Sequence, residues 1–151
     1  MTATRDLGAL IGRILLALIF VLSGLQKLMG PAGTMKMMAA QGLPMVSAAF
    51  VLTLLVEFGC GLLVVVGYKA RWAALLLFLW FIPVTLAFHY AGYRAAILQH
   101  KPMDAMIQQI MMLKNISIMG GLLMVASFGA GAFSIDGRGE SEAAASSLRA
   151  A

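Results

Sequence analysis

Arg13, Ser23, Lys27, Thr53, Glu57, Thr85, His89, Lys114 and Asn115 are polar or ionisable residues set inside long apolar stretches. A charge at the centre of a bilayer costs about 2.5–3.5 kcal/mol on insertion scales. A chain that needed only an anchor would have no use for it. Thr53 and Glu57, Thr85 and His89, and Ser23 and Lys27 each stand at i and i+4, so each pair lies on one helix face. Polar faces in lipid turn toward the centre of a bundle. Such a set offers hydrogen bonding and proton transfer. His89, Lys114 and Asn115 are suited to donate to a carbonyl oxygen, and Glu57 to shuttle protons. A buried carboxylate needs a partner, and Arg13 or Lys114 is expected to pair with Glu57. The residues suggest a ligand-binding layer, and no motif singles out a catalytic residue or a metal site.

The elements that must position this layer follow from hydropathy. Apolar residues make up 62% of the 151, more than a soluble domain of this length can cover. The apolar stretches run over about 7–29, 46–67, 72–93 and 108–128. Each has roughly 20 residues, enough for about 30 Å of hydrocarbon. The reading is all-α: a polytopic membrane protein with a four-transmembrane-helix antiparallel bundle over 7–128. A polar head is expected at 1–6 and a flexible tail, rich in Ala, Ser and Gly, at 129–151. Glycines and prolines between 30 and 45 break helix, with room for a short interfacial helix at 34–41. The connection 68–71 is short enough to force a hairpin. The segment 94–107 reads as helical and lying along the membrane surface. On this scheme all four spans place polar groups in the outer half of the membrane, with Arg13 deeper, about 24 Å from the outer end.

Charge and cysteine content narrow the class further. The net charge of +5 suits loops facing anionic headgroups, and without a Lys/Arg cluster or recognition motif it does not indicate nucleic acid. Lys69 and Arg71 in the shortest loop place both termini in the cytoplasm by the positive-inside rule. Arg13 interrupts the first apolar run, which continues to Met29 with no small-x-small cleavage site, so this segment reads as a retained span. Cys60 is the single cysteine, which removes an internal disulfide, a C-x-x-C relay and thiolate metal sites within one chain. It reads as a small residue at a helix contact. Gly8 and Gly12, Gly59 and Gly61, and Gly120 and Gly121 suit close helix packing, within the bundle or in a homo-oligomer. Methionines cluster at the two outer connections: Met29, Met35, Met37, Met38 and Met45, then Met103, Met106, Met111 and Met112. Thioethers suit Cu(I), with His100 nearby, but packing or partner contact is the favoured reading. Haem on His89 is disfavoured, as is any covalently bound cofactor, because no C-x-x-C-H occurs.

One order of motifs is familiar. The first span has Gly12-Arg13-Ile14-Leu15-Leu16 and Ser23-Gly24-Leu25-Gln26-Lys27-Leu28. The second has Glu57-Phe58-Gly59-Cys60-Gly61-Leu62-Leu63 and Gly67. The third has Thr85 and His89, and the fourth Lys114-Asn115 and Gly120-Gly121-Leu122-Leu123. This order resembles the DoxX family of small four-helix bacterial membrane proteins over about 7–128. Cys60, between Gly59 and Gly61, is a minor departure from its pattern. The resemblance implies a bacterial inner membrane and a quinone-linked redox role beside a redox-enzyme partner; it supplies no substrate. The leading expectation is therefore an oxidoreductase component that binds a quinone or similar molecule in a polar pocket bordered by His89, Glu57, Lys114 and Asn115. The alternative is a non-catalytic membrane partner that docks a soluble enzyme. A small-solute carrier would call for inverted repeats, and none is evident.

Overall fold

A computed structural model describes residues 2–139. Four helical spans, Ala3–Met29, Val46–Val66, Ala70–Leu98 and Pro102–Phe128, are long and apolar enough to cross a bilayer, and among the described residues there is no strand. Helix α1 (Thr2–Met29) ends where Gly30 precedes Pro31, the first residue of α2 (Pro31–Ala40). Proline is suited to that place because a first-turn N–H has no intrahelical acceptor. Span two is α3 (Val46–Leu54), a π-helical turn (Leu55–Gly59) and α4 (Cys60–Val66). Span three is α5 (Ala70–Val84), a second π-helical turn (Thr85–Tyr90) and α6 (Ala91–Leu98). Span four is α7 (Pro102–Phe128). Pro83 lies just before the second π-turn. It lacks the N–H that would close an α-helical bond to the carbonyl four residues back.

The connections are tighter than the sequence suggests at one place. The segment 94–107 does not lie along the surface. Span three continues to Leu98 and span four starts at Pro102, leaving a link at 99–101 turned by His100 at φ 54. The head expected at 1–6 is, from Thr2 onward, the first turns of α1. After Gly129, residues 129–139 fold back onto the bundle and end in a helical turn at 135–139, where a flexible tail was expected. The remainder of that expectation, 140–151, lies outside the described residues.

Packing follows chain order. Span one lies against span two, span two against span three, and span three against span four; α1 also touches α7. The core holds Ala17, Phe20, Val56, Cys60, Val64, Ala74, Leu77, Phe81 and Leu122. Phe20 and Phe81 meet edge to face at 5.0 Å. Large apolar side chains such as Leu15, Leu55, Leu79 and Leu113 face outward, as a lipid solvent allows. Small residues set the closest approaches. A methyl group on Gly61 would stand 2.8 Å from Phe20 Cβ, and one on Gly121 2.9 Å from Leu16 Cδ1. Gly24, not singled out from sequence, is as tight against Phe58. Gly8, Gly12, Gly59 and Gly120 meet nothing within 4 Å.

Candidate functional site

The polar residues form separate clusters rather than one layer. The first joins spans one and two, in the half of the bundle away from the chain termini. Lys27 Nζ lies 2.6 Å from Glu57 Oε2 and donates to Ser23 Oγ at 2.5 Å. Ser23 is 3.4 Å from the same carboxylate oxygen. Glu57 sits on the first π-turn and is 6% exposed. Its partner is therefore Lys27, and neither Arg13 nor Lys114. Ser23 and Lys27 are one turn apart on α1, so both reach the carboxylate. Thr53 is buried one turn before Glu57, but its hydroxyl donates to Ala49 O of its own helix at 2.7 Å.

The second cluster joins spans three and four in the same half. Asn115, 2% exposed, donates through Nδ2 to Thr85 Oγ1 at 3.0 Å. His89 Nδ1 stands 2.9 Å from Gln108 Oε1. With a carbonyl oxygen there, the neutral ring carries its proton on Nδ1 and leaves Nε2 as an acceptor. Thr85 and His89 both lie on the second π-turn. Gly92, one turn on, makes room for this contact, since a methyl group there would stand 3.1 Å from Gln108 Cδ. Gln108 was read from sequence only as the start of a span. Its signal was its place beside the link that brings spans three and four together. π-Turns recur at functional sites because the extra residue re-aims nearby side chains. Here one carries Glu57 and the other His89.

Arg13 belongs to the opposite end. Its guanidinium donates to the carbonyls of Ala130, Phe133 (3.0 Å) and Val65 (3.3 Å). Asp136 lies beside it: its carboxylate accepts the backbone N–H groups of Lys69 (2.8 Å) and Ala70 (3.0 Å), and its own N–H donates to Gly67 O at 3.0 Å. This knot fastens residues 130–136 to the turn between spans two and three. Lys114 joins neither group. It is exposed on α7, because Asn115 points inward and adjacent helix positions are about 100° apart.

Among the described residues, two cavities stand out. One of about 1020 Å³ lies at the terminal end, between the turn after span two and residues 128–139. Another of about 220 Å³ lies between α6 and α7 and is lined in part by Gln108, Gly92 and Asp104. Neither is bordered by Glu57, His89, Lys114 or Asn115. Among the described residues no three of His, Cys, Asp and Glu converge as metal ligands. The indole N–H of Trp80 is buried and meets no acceptor among them, a feature the sequence reading did not consider.

The motif order and this four-span architecture can be set beside known proteins. The chain is 35% identical over 138 residues to "Inner membrane protein YqjF" of Escherichia coli (strain K12), covering 90% of this chain and 95% of that one. It is 33% identical over 141 residues to "Inner membrane protein YphA" of the same organism, covering 90% and 93%. No solved structure matches it. The DoxX family model matches residues 8–90, the stretch that carries Arg13, the Lys27–Glu57 pair and both π-turns. The chain belongs to the DoxX family.

Proposed function

We propose that this protein is an inner-membrane component of a quinone-linked oxidoreductase system, and that its polar half holds the small redox molecule. The observation that supports the reading most is the ion pair between Lys27 on α1 and Glu57 on one π-turn, with His89 on a second π-turn in the same half of the bundle. Reduction of a quinone to a hydroquinone takes two electrons and two protons, so a site needs groups that gain and lose protons beside the oxygens. His89 Nε2 is the acceptor for a hydroquinone O–H, while Gln108 orients the ring. Lys27 and Glu57 supply a donor and an acceptor in the same half. Asn115 and Thr85 brace spans three and four in that half. Electrons would pass to or from a redox-enzyme partner.

The short turn with Lys69 and Arg71 supports cytoplasmic termini. That orientation puts the polar half toward the outer face, and a reporter fused at the C-terminus tests it. The E. coli relatives are named as inner membrane proteins, which supports the location.

The deciding experiment is thermal unfolding of the purified protein with a quinone analogue. Saturation at 100 times Kd should stabilise it by about 2.7 kcal/mol. The shift should vanish in folded His89→Ala and Glu57→Gln. A melting temperature indifferent to quinones would instead favour a docking partner for a soluble enzyme. One observation supports that second reading: Met29, Met45 and Met103 are 87%, 80% and 68% exposed at the connections of the same end. Methionine suits adaptable contact surfaces.

A further inference from the structure

We infer that the cavity at the terminal end of the bundle binds the phosphate headgroup of an anionic phospholipid. It is about 1020 Å³ and open to the surface, and its lining includes Lys69, Arg71, Tyr68, Trp72, Phe128 and Ile135. The two cations are exposed and stand at the start of span three. The Arg71 guanidinium rests against Gly129: a methyl group on that glycine would stand 3.1 Å from Arg71 Nε and 3.3 Å from Nη2. Gly129 has φ +85, a backbone conformation that favours glycine, so the chain that closes the cavity also makes the seat for Arg71.

The carboxylate in the wall is engaged with backbone rather than with these two side chains. Asp136 accepts the N–H groups of Lys69 and Ala70, and among the described residues no ion pair joins it to the Lys69 or Arg71 side chain. Lys69 Nζ lies 5.8 Å from the centre of the Tyr68 ring. A phosphate oxygen matches the guanidinium fork and the ammonium together. The rest of the wall selects the source of that phosphate. Trp72, Phe128 and Ile135 are 73%, 74% and 51% exposed at the end of the spans, the level where aromatic residues meet lipid headgroups. A free phosphate ion gains nothing from that apolar surface, whereas the glycerol and upper acyl carbons of a lipid cover it.

The test uses the full chain in nanodiscs of phosphatidylcholine with phosphatidylglycerol added. Retained lipid is read by native mass spectrometry and stability by thermal unfolding. Phosphatidylglycerol should be retained in preference and should raise the melting temperature. Arg71→Gln should weaken retention about fivefold, and Lys69→Gln with Arg71→Gln about 30-fold, from the usual contribution of one cation near an anionic surface. Arg71→Lys should restore most of it. Lys36→Gln with Lys101→Gln, at the other end, should change nothing. Both targeted side chains are exposed, so the variants should fold, and circular dichroism checks this. Equal retention of the two lipids, or unaltered retention in the folded double variant, overturns the inference. Inorganic phosphate that stabilises the protein as much as the lipid does would overturn it too, by showing a site for soluble anions.

Discussion

At the terminal end, Arg13 directs its donors to backbone carbonyls that belong to two distant parts of the chain. At the other end, Lys27 faces the side chain of Glu57, and His89 faces that of Gln108. Both ends bury polar groups in an apolar solvent, yet the partners differ in kind. Arg13's hydrogen-bond acceptors are main-chain carbonyls, and Asp136 beside it is itself held by the N–H groups of Lys69 and Ala70, so the knot ties side chains to backbone. The other end ties side chain to side chain, a carboxylate with an ammonium and an imidazole with an amide. The difference teaches that buried charge is held in two ways, by main-chain oxygens that every residue carries or by side chains that a single substitution can remove.

Removing the knot should have the largest effect. Arg13→Leu leaves three carbonyls without their donor. Hydrogen bonds to charged groups contribute about 1.5–3 kcal/mol each, so a loss of at least about 4 kcal/mol is expected in reversible unfolding in detergent. Arg13→Lys should recover only part, since an ammonium cannot reproduce the planar fork. A variant as stable as the parent would break the comparison.

The ion pair should come next and should behave differently. Glu57→Gln is expected to cost about 2 kcal/mol, between the exposed and the fully buried cases. A double-mutant cycle with Lys27→Met should return a coupling of about 1–3 kcal/mol. Any quinone-dependent stabilisation should be lost in Glu57→Gln and kept in whatever fraction of Arg13→Lys remains folded. If both variants lose it in proportion to folded protein, the two ends are alike and the comparison fails.

Smaller again is Gln108→Leu, about 1 kcal/mol for a half-buried neutral hydrogen bond. Its sharper readout is the ¹⁵N signal of His89. The imidazole should show one tautomer in the parent and a mixture in the variant. Lys114→Leu should do least, within about 0.5 kcal/mol as for other exposed positions without partners. A larger loss would mean that Lys114 has a role at the bundle surface.

The four spans and the tight second turn were legible in the sequence, because length, hydropathy and two flanking cations are properties of the residues themselves. So was the burial of Glu57, which the cost of an unpaired charge demands. Its partner was not. Lys27 stands near the end of its span, and Arg13 and Lys114 looked deep enough to reach. Depth counted along straight helices fails where π-turns insert a residue, and nothing in Leu55–Gly59 or Thr85–Tyr90 announces one beyond Pro83. Arg13 was misread for another reason. Its acceptors are main-chain carbonyls, which every residue has and no residue type reveals. Asn115 with Thr85 was foreseeable as a pair of neutral groups on facing spans, whereas Gln108 was hidden by an assumed surface segment that the structure replaces with a short link.

The reach of Arg13 also orders events during synthesis. The carbonyl of Phe133 lies 120 residues further along the chain than the guanidinium that binds it. At about 5–20 residues per second, the ribosome needs roughly 6–24 s to make that acceptor after Arg13 has been added to the chain. Through that interval span one carries a cation that its final neighbours have not yet received. A nascent chain stopped before residue 130 would keep it in that condition. A fold in which Arg13 has all its acceptors therefore requires that synthesis has passed residue 133.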